Sequence, residues 1–102
     1  MKKLNVLNAA ILGLGISLPS MAFAREVWQS DFDYFKHISG TQWEEDHPSG
    51  PIYWTETDRT PQYIQLYDSN RDMTFRLFDS YAMWKTDGGV WNLWDHTGHW
   101  SS

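Results

Sequence analysis

Residues 64–94 read Ile64-Gln65-Leu66-Tyr67-Asp68-Ser69-Asn70-Arg71-Asp72-Met73-Thr74-Phe75-Arg76-Leu77-Phe78-Asp79-Ser80-Tyr81-Ala82-Met83-Trp84-Lys85-Thr86-Asp87-Gly88-Gly89-Val90-Trp91-Asn92-Leu93-Trp94. Apolar and polar side chains alternate along this stretch, and clusters of turn residues interrupt it, which is the pattern of half-buried strands joined by hairpins. Residues directly opposite in an antiparallel pair share a face, so each turn tests the strands on either side of it. A four-residue loop from Ser69 to Asp72 sets Leu66 opposite Phe75 and Ile64 opposite Leu77. A two-residue Asp79-Ser80 turn sets Leu77 opposite Ala82 and Phe75 opposite Trp84. Asp87-Gly88, the strongest short hairpin signal in the chain, sets Trp84 opposite Trp91 and Ala82 opposite Leu93. Three independent turns thus predict one apolar face made of Ile64, Leu66, Phe75, Leu77, Ala82, Trp84, Trp91 and Leu93.

The same registers generate the opposite face. One row across the strands reads Tyr63, Phe78, Tyr81 and Trp94, and the next reads Gln65, Arg76, Met83 and Asn92. Aromatic rings beside Gln65, Arg76 and Asn92 combine apolar contact area with directional hydrogen bonds, the chemistry of a recognition surface. Tyr63, Gln65, Arg76, Phe78, Tyr81, Asn92 and Trp94 are therefore the expected binding residues. The alternative is burial, with Trp28, Phe32, Tyr34, Phe35 and Ile38 folding over the row to make a second core.

Working outward, strands are expected over 41–47, 51–57, 62–68, 73–78, 81–86 and 89–96, with Trp43, Trp54 and Ile52 joining the apolar face. Asp31-Phe32-Asp33-Tyr34-Phe35-Lys36-His37-Ile38 carries apolar residues at 32, 35 and 38, an Asp to cap it and Gly40 to stop it, which predicts a helix of two turns. The expected fold is all-β: a small antiparallel meander of about six strands forming a partly open barrel or sandwich, preceded by that short helical segment. Residues 25–40 form the N-terminal segment, 41–96 the meander and 97–102 a tail.

Residues 1–24 read as an address. Lys2 and Lys3 precede an apolar run from Ala9 to Leu18, and Ala22-Phe23-Ala24 places small residues where a signal peptidase cuts. The apolar run is short of the roughly 20 residues that span a bilayer, so a cleaved secretory signal is expected rather than a membrane anchor. Cleavage takes 24 of 102 residues, leaving 78, and removes two lysines and no acid, moving the net charge from −5 to −7. The expected location is periplasmic or secreted, with no membrane span after cleavage.

Composition narrows the function classes. The chain has no cysteine, which excludes a disulfide scaffold, a thiol nucleophile and a Cys-ligated metal. The acidic balance argues against a nucleic-acid partner. A mature domain of this size buries a limited share of its surface, so its many large rings are the obvious source of stability.

Three clusters remain. Asp68, Asn70 and Asp72 match the opening of a calcium loop, but Met73 stands at its glycine position, and a polar hairpin loop is the simpler reading. His96 and His99 offer two imidazoles where a closed metal site wants about four ligands, so surface histidines are expected. Glu44, Glu45 and Glu56 could suggest the paired carboxylates of a glycosidase, against which Glu44-Glu45-Asp46-His47 reads as a charged edge strand. No cofactor, metal or catalytic residue is assigned. The expected function is non-catalytic binding in the bacterial cell envelope, directed at a protein, peptide or glycan; the alternative is a small envelope hydrolase using paired carboxylates.

Overall fold

A computed structural model describes residues 25–102; the export signal expected over 1–24 lies outside the described residues. The described residues form nine strands: β1 (Val27–Ser30), β2 (Tyr34–Ser39), β3 (Gln42–His47), β4 (Gly50–Arg59), β5 (Ile64–Asp68), β6 (Met73–Leu77), β7 (Ala82–Thr86), β8 (Asn92–Leu93) and β9 (Gly98–Trp100). They make one antiparallel sheet in the order β9-β1-β2-β3-β4-β5-β6-β7-β8, curled into a half-barrel. The all-β meander expected from the sequence is the fold. Among the described residues no helix is long and apolar enough to cross a membrane.

The central hairpins pair as the turn residues dictate. Leu66 lies opposite Phe75, Ile64 opposite Leu77, Phe75 opposite Trp84 and Leu77 opposite Ala82. Trp43 and Trp54 face each other across β3 and β4. Their concave sides merge into one core of Trp28, Phe35, Trp43, Trp54, Ile64, Leu66, Phe75, Leu77, Ala82 and Trp100. Phe35 packs within 5.6 to 6.2 Å of the rings of Trp28, Trp54, Phe75 and Trp94, so the core is largely a cluster of tilted and edge-on aromatic pairs. Each such pair contributes about 0.5–1.5 kcal/mol beyond the area it buries.

The structure corrects the sequence reading in three places. The helix expected over 31–38 is a turn followed by strand β2. Phe32 and Ile38, two of the three residues of its apolar stripe, are exposed, and only Phe35 enters the core. A two-turn helix is marginal by itself, whereas the strand pairs on both sides and buries Phe35. The tail at 97–102 contains β9, which pairs with β1 and returns the C-terminus to the start of the sheet. Gly98 permits this approach, since a Cβ there would lie 2.5 Å from the Trp28 ring and 2.6 Å from the Gln29 carbonyl oxygen.

The third correction concerns β8. The expected strand over 89–96 shrinks to two residues, and its register slips by one: Trp84 faces Asn92 and Met83 faces Leu93. Gly89 causes the slip. Its N–H closes the turn onto the Thr86 carbonyl at 2.9 Å, while Gly88 takes a left-handed conformation (φ 75°), so the loop holds one residue more than Asp87-Gly88 alone. A one-residue slip exchanges the two faces of a strand. Leu93, expected in the core, is 67% exposed, and Trp94 turns inward against Trp28, Phe35 and Phe75.

Candidate binding site

The convex face carries a continuous ladder of stacked groups. Arg76 on β6 places its guanidinium 4.4 Å from the ring centre of Tyr63 and 4.3 Å from that of Trp91. Its Nε donates to Gln65 Oε1 at 2.8 Å, and Gln65 Nε2 donates to Thr57 Oγ1 at 3.1 Å. Tyr63 then meets Phe78 at 5.3 Å, and Phe78 stacks on Tyr81 at 4.6 Å with the rings 9° apart. The short Asp79-Ser80 turn builds that last contact, because Phe78 donates its N–H to the Tyr81 carbonyl and the two rings emerge side by side. At the other end of the ladder, Lys85 Nζ lies 5.4 Å from the Trp91 ring centre.

Five of the seven expected binding residues, Tyr63, Gln65, Arg76, Phe78 and Tyr81, come together here. Trp94 and Asn92 do not. The Gly89 insertion carries Trp94 into the concave side and sets Asn92 opposite Trp84, where its Nδ2 donates to the Val90 carbonyl at 3.0 Å. Trp91, expected in the core, takes the vacant place on the ladder. The N-terminal segment does not cover the row; residues 27–30 and 34–39 form β1 and β2, and Trp28 and Phe35 face the concave core. Beside the ladder, Gln65, Tyr67, Thr74, Arg76, Lys85 and Trp91 line a polar groove of about 280 Å³.

The concave side opens at one end into a second hollow of about 440 Å³. Its walls are Phe32 from the β1–β2 turn, Trp54, Phe75, Trp84 and Trp94, with Glu45, His47, Arg71 and Asp95 supplying polar atoms. Glu45 is buried on β3 and accepts the Trp54 indole N–H at 3.1 Å. Burial, reinforced by a hydrogen bond to Asp33 and its charge, pushes the Glu45 carboxyl up to about 8. Asp33 Oδ2 is buried with no other donor, and a proton retained on Glu45 supplies one. Arg71 donates Nε to Asp68 Oδ2 at 2.6 Å and lays its guanidinium 5.1 Å from the Trp54 ring centre. Over the rim, Phe32 stacks on His96 at 4.5 Å, and His96 Nδ1 meets Asp31 at 3.0 Å.

The remaining sequence candidates fall apart as sites. Asp68 is committed to the Asn70 N–H and to Arg71, while Asp72 accepts the Tyr67 hydroxyl at 2.6 Å. His96 is held by Asp31 and Phe32, and His99 is exposed on β9. No group of three His, Cys, Asp or Glu converges among the described residues. Strand β3, read as a charged edge, lies inside the sheet between β2 and β4. Glu44 lies on the face opposite Glu45. Glu56 accepts the Trp43 indole N–H and a two-point contact from Arg59, which holds its carboxyl below the usual range. Glu45 faces Ile52, and Glu56 lies four residues further along β4. That places them about 13 Å apart along the strand, at opposite ends of the Trp43–Trp54 pair and beyond the separation glycosidic carboxylates use.

No protein family, curated protein or solved structure matches the chain. The hollow was not anticipated, because it is assembled from four hairpins distant in sequence. One local signal did exist: Trp43-Glu44-Glu45 puts a carboxyl two residues from a core indole, and therefore on the inward face of β3.

Proposed function

We propose that the protein is an exported, non-catalytic binding protein of the bacterial cell envelope that recognises a protein, peptide or glycan through its convex face. Export is supported by the lysines, apolar run and Ala22-Phe23-Ala24 of the first 24 residues. Recognition is supported by one observation above the others, the Trp91–Arg76–Tyr63–Phe78–Tyr81 ladder, uncovered and bordered by a polar groove. Rings locked against each other and against a guanidinium lose little further freedom when a partner docks, so more of the contact energy appears as affinity. Arg76 adds a fixed fork of donors between two apolar faces.

The test is affinity capture from envelope extracts by wild-type protein and by the Tyr81→Ala and Trp91→Ala variants, with thermal unfolding measured in parallel. The reading expects both variants to lose the captured partner while their unfolding transitions stay near that of wild type. If both variants unfold, the ladder is structural and the proposal fails.

A further inference from the structure

The hollow on the concave side is a site separate from the ladder, and we propose that it binds a short, uncharged saccharide, whose ring stacks against the Trp84 and Trp94 walls. The volume, about 440 Å³, lies in the range of small-molecule sites. Phe32, Trp84 and Trp94 present apolar surface to it, backed by the buried Trp54 and Phe75. Its polar atoms sit among these rings: the Arg71 guanidinium, whose Nε alone is taken by Asp68, His47, whose Nδ1 alone is taken by Ser49, and the Asp95 carboxylate. A pyranose has this dual character, with C–H faces that pack on rings and an edge of hydroxyls that both donate and accept.

Charge decides against the other ligand classes. Arg71 is paired with Asp68 and His96 with Asp31. Glu45 keeps its proton near neutral pH. An anion therefore finds Arg71 already paired with Asp68 and meets the Asp95 carboxylate in the wall. An organic cation meets Arg71 already lying over Trp54, and the Asp95 carboxylate, 88% exposed, is too well screened by water to offset that repulsion. A purely apolar ligand would cover the Arg71 and His47 nitrogens without replacing their water, at a cost of about 1–3 kcal/mol for each group left unsatisfied. A neutral ring with hydroxyls avoids all three costs.

The experiment titrates the protein with maltotriose, cellotriose and tri-N-acetylchitotriose in separate arms, and with indole as an uncharged ring lacking hydroxyls. Binding is followed through the indole N–H resonances of the tryptophans. At least one trisaccharide should saturate with a Kd of about 0.1–10 mM, shifting the Trp84 and Trp94 signals before those of Trp91. Asp95→Ala, at a side chain 88% exposed and so outside the folding core, should weaken that binding several-fold. Trp84→Ala should weaken it at least tenfold and Trp84→Phe, which keeps a stacking face, much less. Trp91→Ala, on the convex face, should leave it unchanged, which separates this site from the ladder. The proposal is overturned if none of the three sugars moves the Trp84 or Trp94 signals at about 20 mM, well above the Kd range expected. Saturation of the hollow by indole alone, or binding that depends on Trp91 instead, would also overturn it.

Discussion

Glu45→Gln should stabilise this protein, and by an amount that depends on pH. In the fold Glu45 is buried, accepts the Trp54 N–H, and meets Asp33. Arg71, the nearby cation, draws its carboxyl down, but burial and Asp33 outweigh it and hold the carboxyl at about 8 against 4.5 in a free chain. Between those values the unfolded chain releases a proton that the fold retains, so stability falls as pH rises. The slope is about 1.4 kcal/mol per pH unit, or roughly 3 kcal/mol between pH 5 and pH 7. The loss levels off above about pH 8, where both states are ionised. A glutamine reproduces the protonated acid: its oxygen accepts from Trp54, its amide donates to Asp33 Oδ2, and it does not titrate. Urea unfolding followed by tryptophan fluorescence should give similar stabilities for wild type and variant near pH 5, and a variant about 3 kcal/mol more stable at pH 7. The comparison cancels His37, whose imidazole is raised by the Gly40 carbonyl and by Glu26 and adds its own loss as pH rises through its folded value. Parallel curves for the two proteins, or a variant less stable at every pH, would refute the assignment of a proton to Glu45.

Three further outcomes follow from the fold. Trp94→Ala should cost about 3–5 kcal/mol in chemical denaturation, while Leu93→Ala should stay within about 0.5 kcal/mol, the reverse of what a two-residue Asp87-Gly88 turn would give. Deleting Gly89 should restore that turn and drive Trp91 inward and Trp94 outward, lowering stability by more than about 2 kcal/mol and abolishing the Met83–Leu93 cross-strand contact in NMR spectra. Gly98→Ala should lower stability by about 1–3 kcal/mol or more, because the added methyl meets the Trp28 ring and the Gln29 carbonyl; an unchanged melting temperature would show that β9 is loosely held.

What the sequence reveals and what it hides divides along sequence distance. Strands β5, β6 and β7 are legible because each is tied to the next by a short turn, and turn length sets register. The same logic fails one hairpin later for a local reason. Asp87-Gly88-Gly89 contains two overlapping turn signals, and the choice between them inverts the faces of Trp91, Asn92, Leu93 and Trp94. The ladder was therefore visible at Tyr63, Gln65, Arg76, Phe78 and Tyr81 and misread at its Trp91 end. Strand β9 is hidden for another reason: its three residues have no strand pattern of their own, and their partner, β1, lies some 70 residues away along the chain. The 31–38 segment shows how a spacing of three can mislead, since Phe35 is buried while Phe32 and Ile38 stay exposed, rather than all three sharing one face.

The two Trp-x-Glu sequences show how one local pattern is put to two uses. Trp43-Glu44-Glu45 and Trp54-Thr55-Glu56 lie antiparallel with the indoles opposite each other, so each indole donates to the glutamate of the other strand, Trp43 to Glu56 and Trp54 to Glu45. This reciprocal arrangement satisfies two buried N–H groups that would otherwise each cost about 1–3 kcal/mol. The surroundings then separate the two carboxyls. Arg59 grips Glu56 from the same strand and keeps it charged. Glu45 has Asp33 for a neighbour and gives up its charge to stay buried. A carboxylate gripped by arginine closes one end of the indole pair with its bonding capacity spent. A neutral acid at the other end leaves Arg71 and Asp95 as the charged groups in the walls of the aromatic hollow. Of the two ends of the indole pair, the Glu45 end is the one that opens into the hollow walled by Trp84 and Trp94.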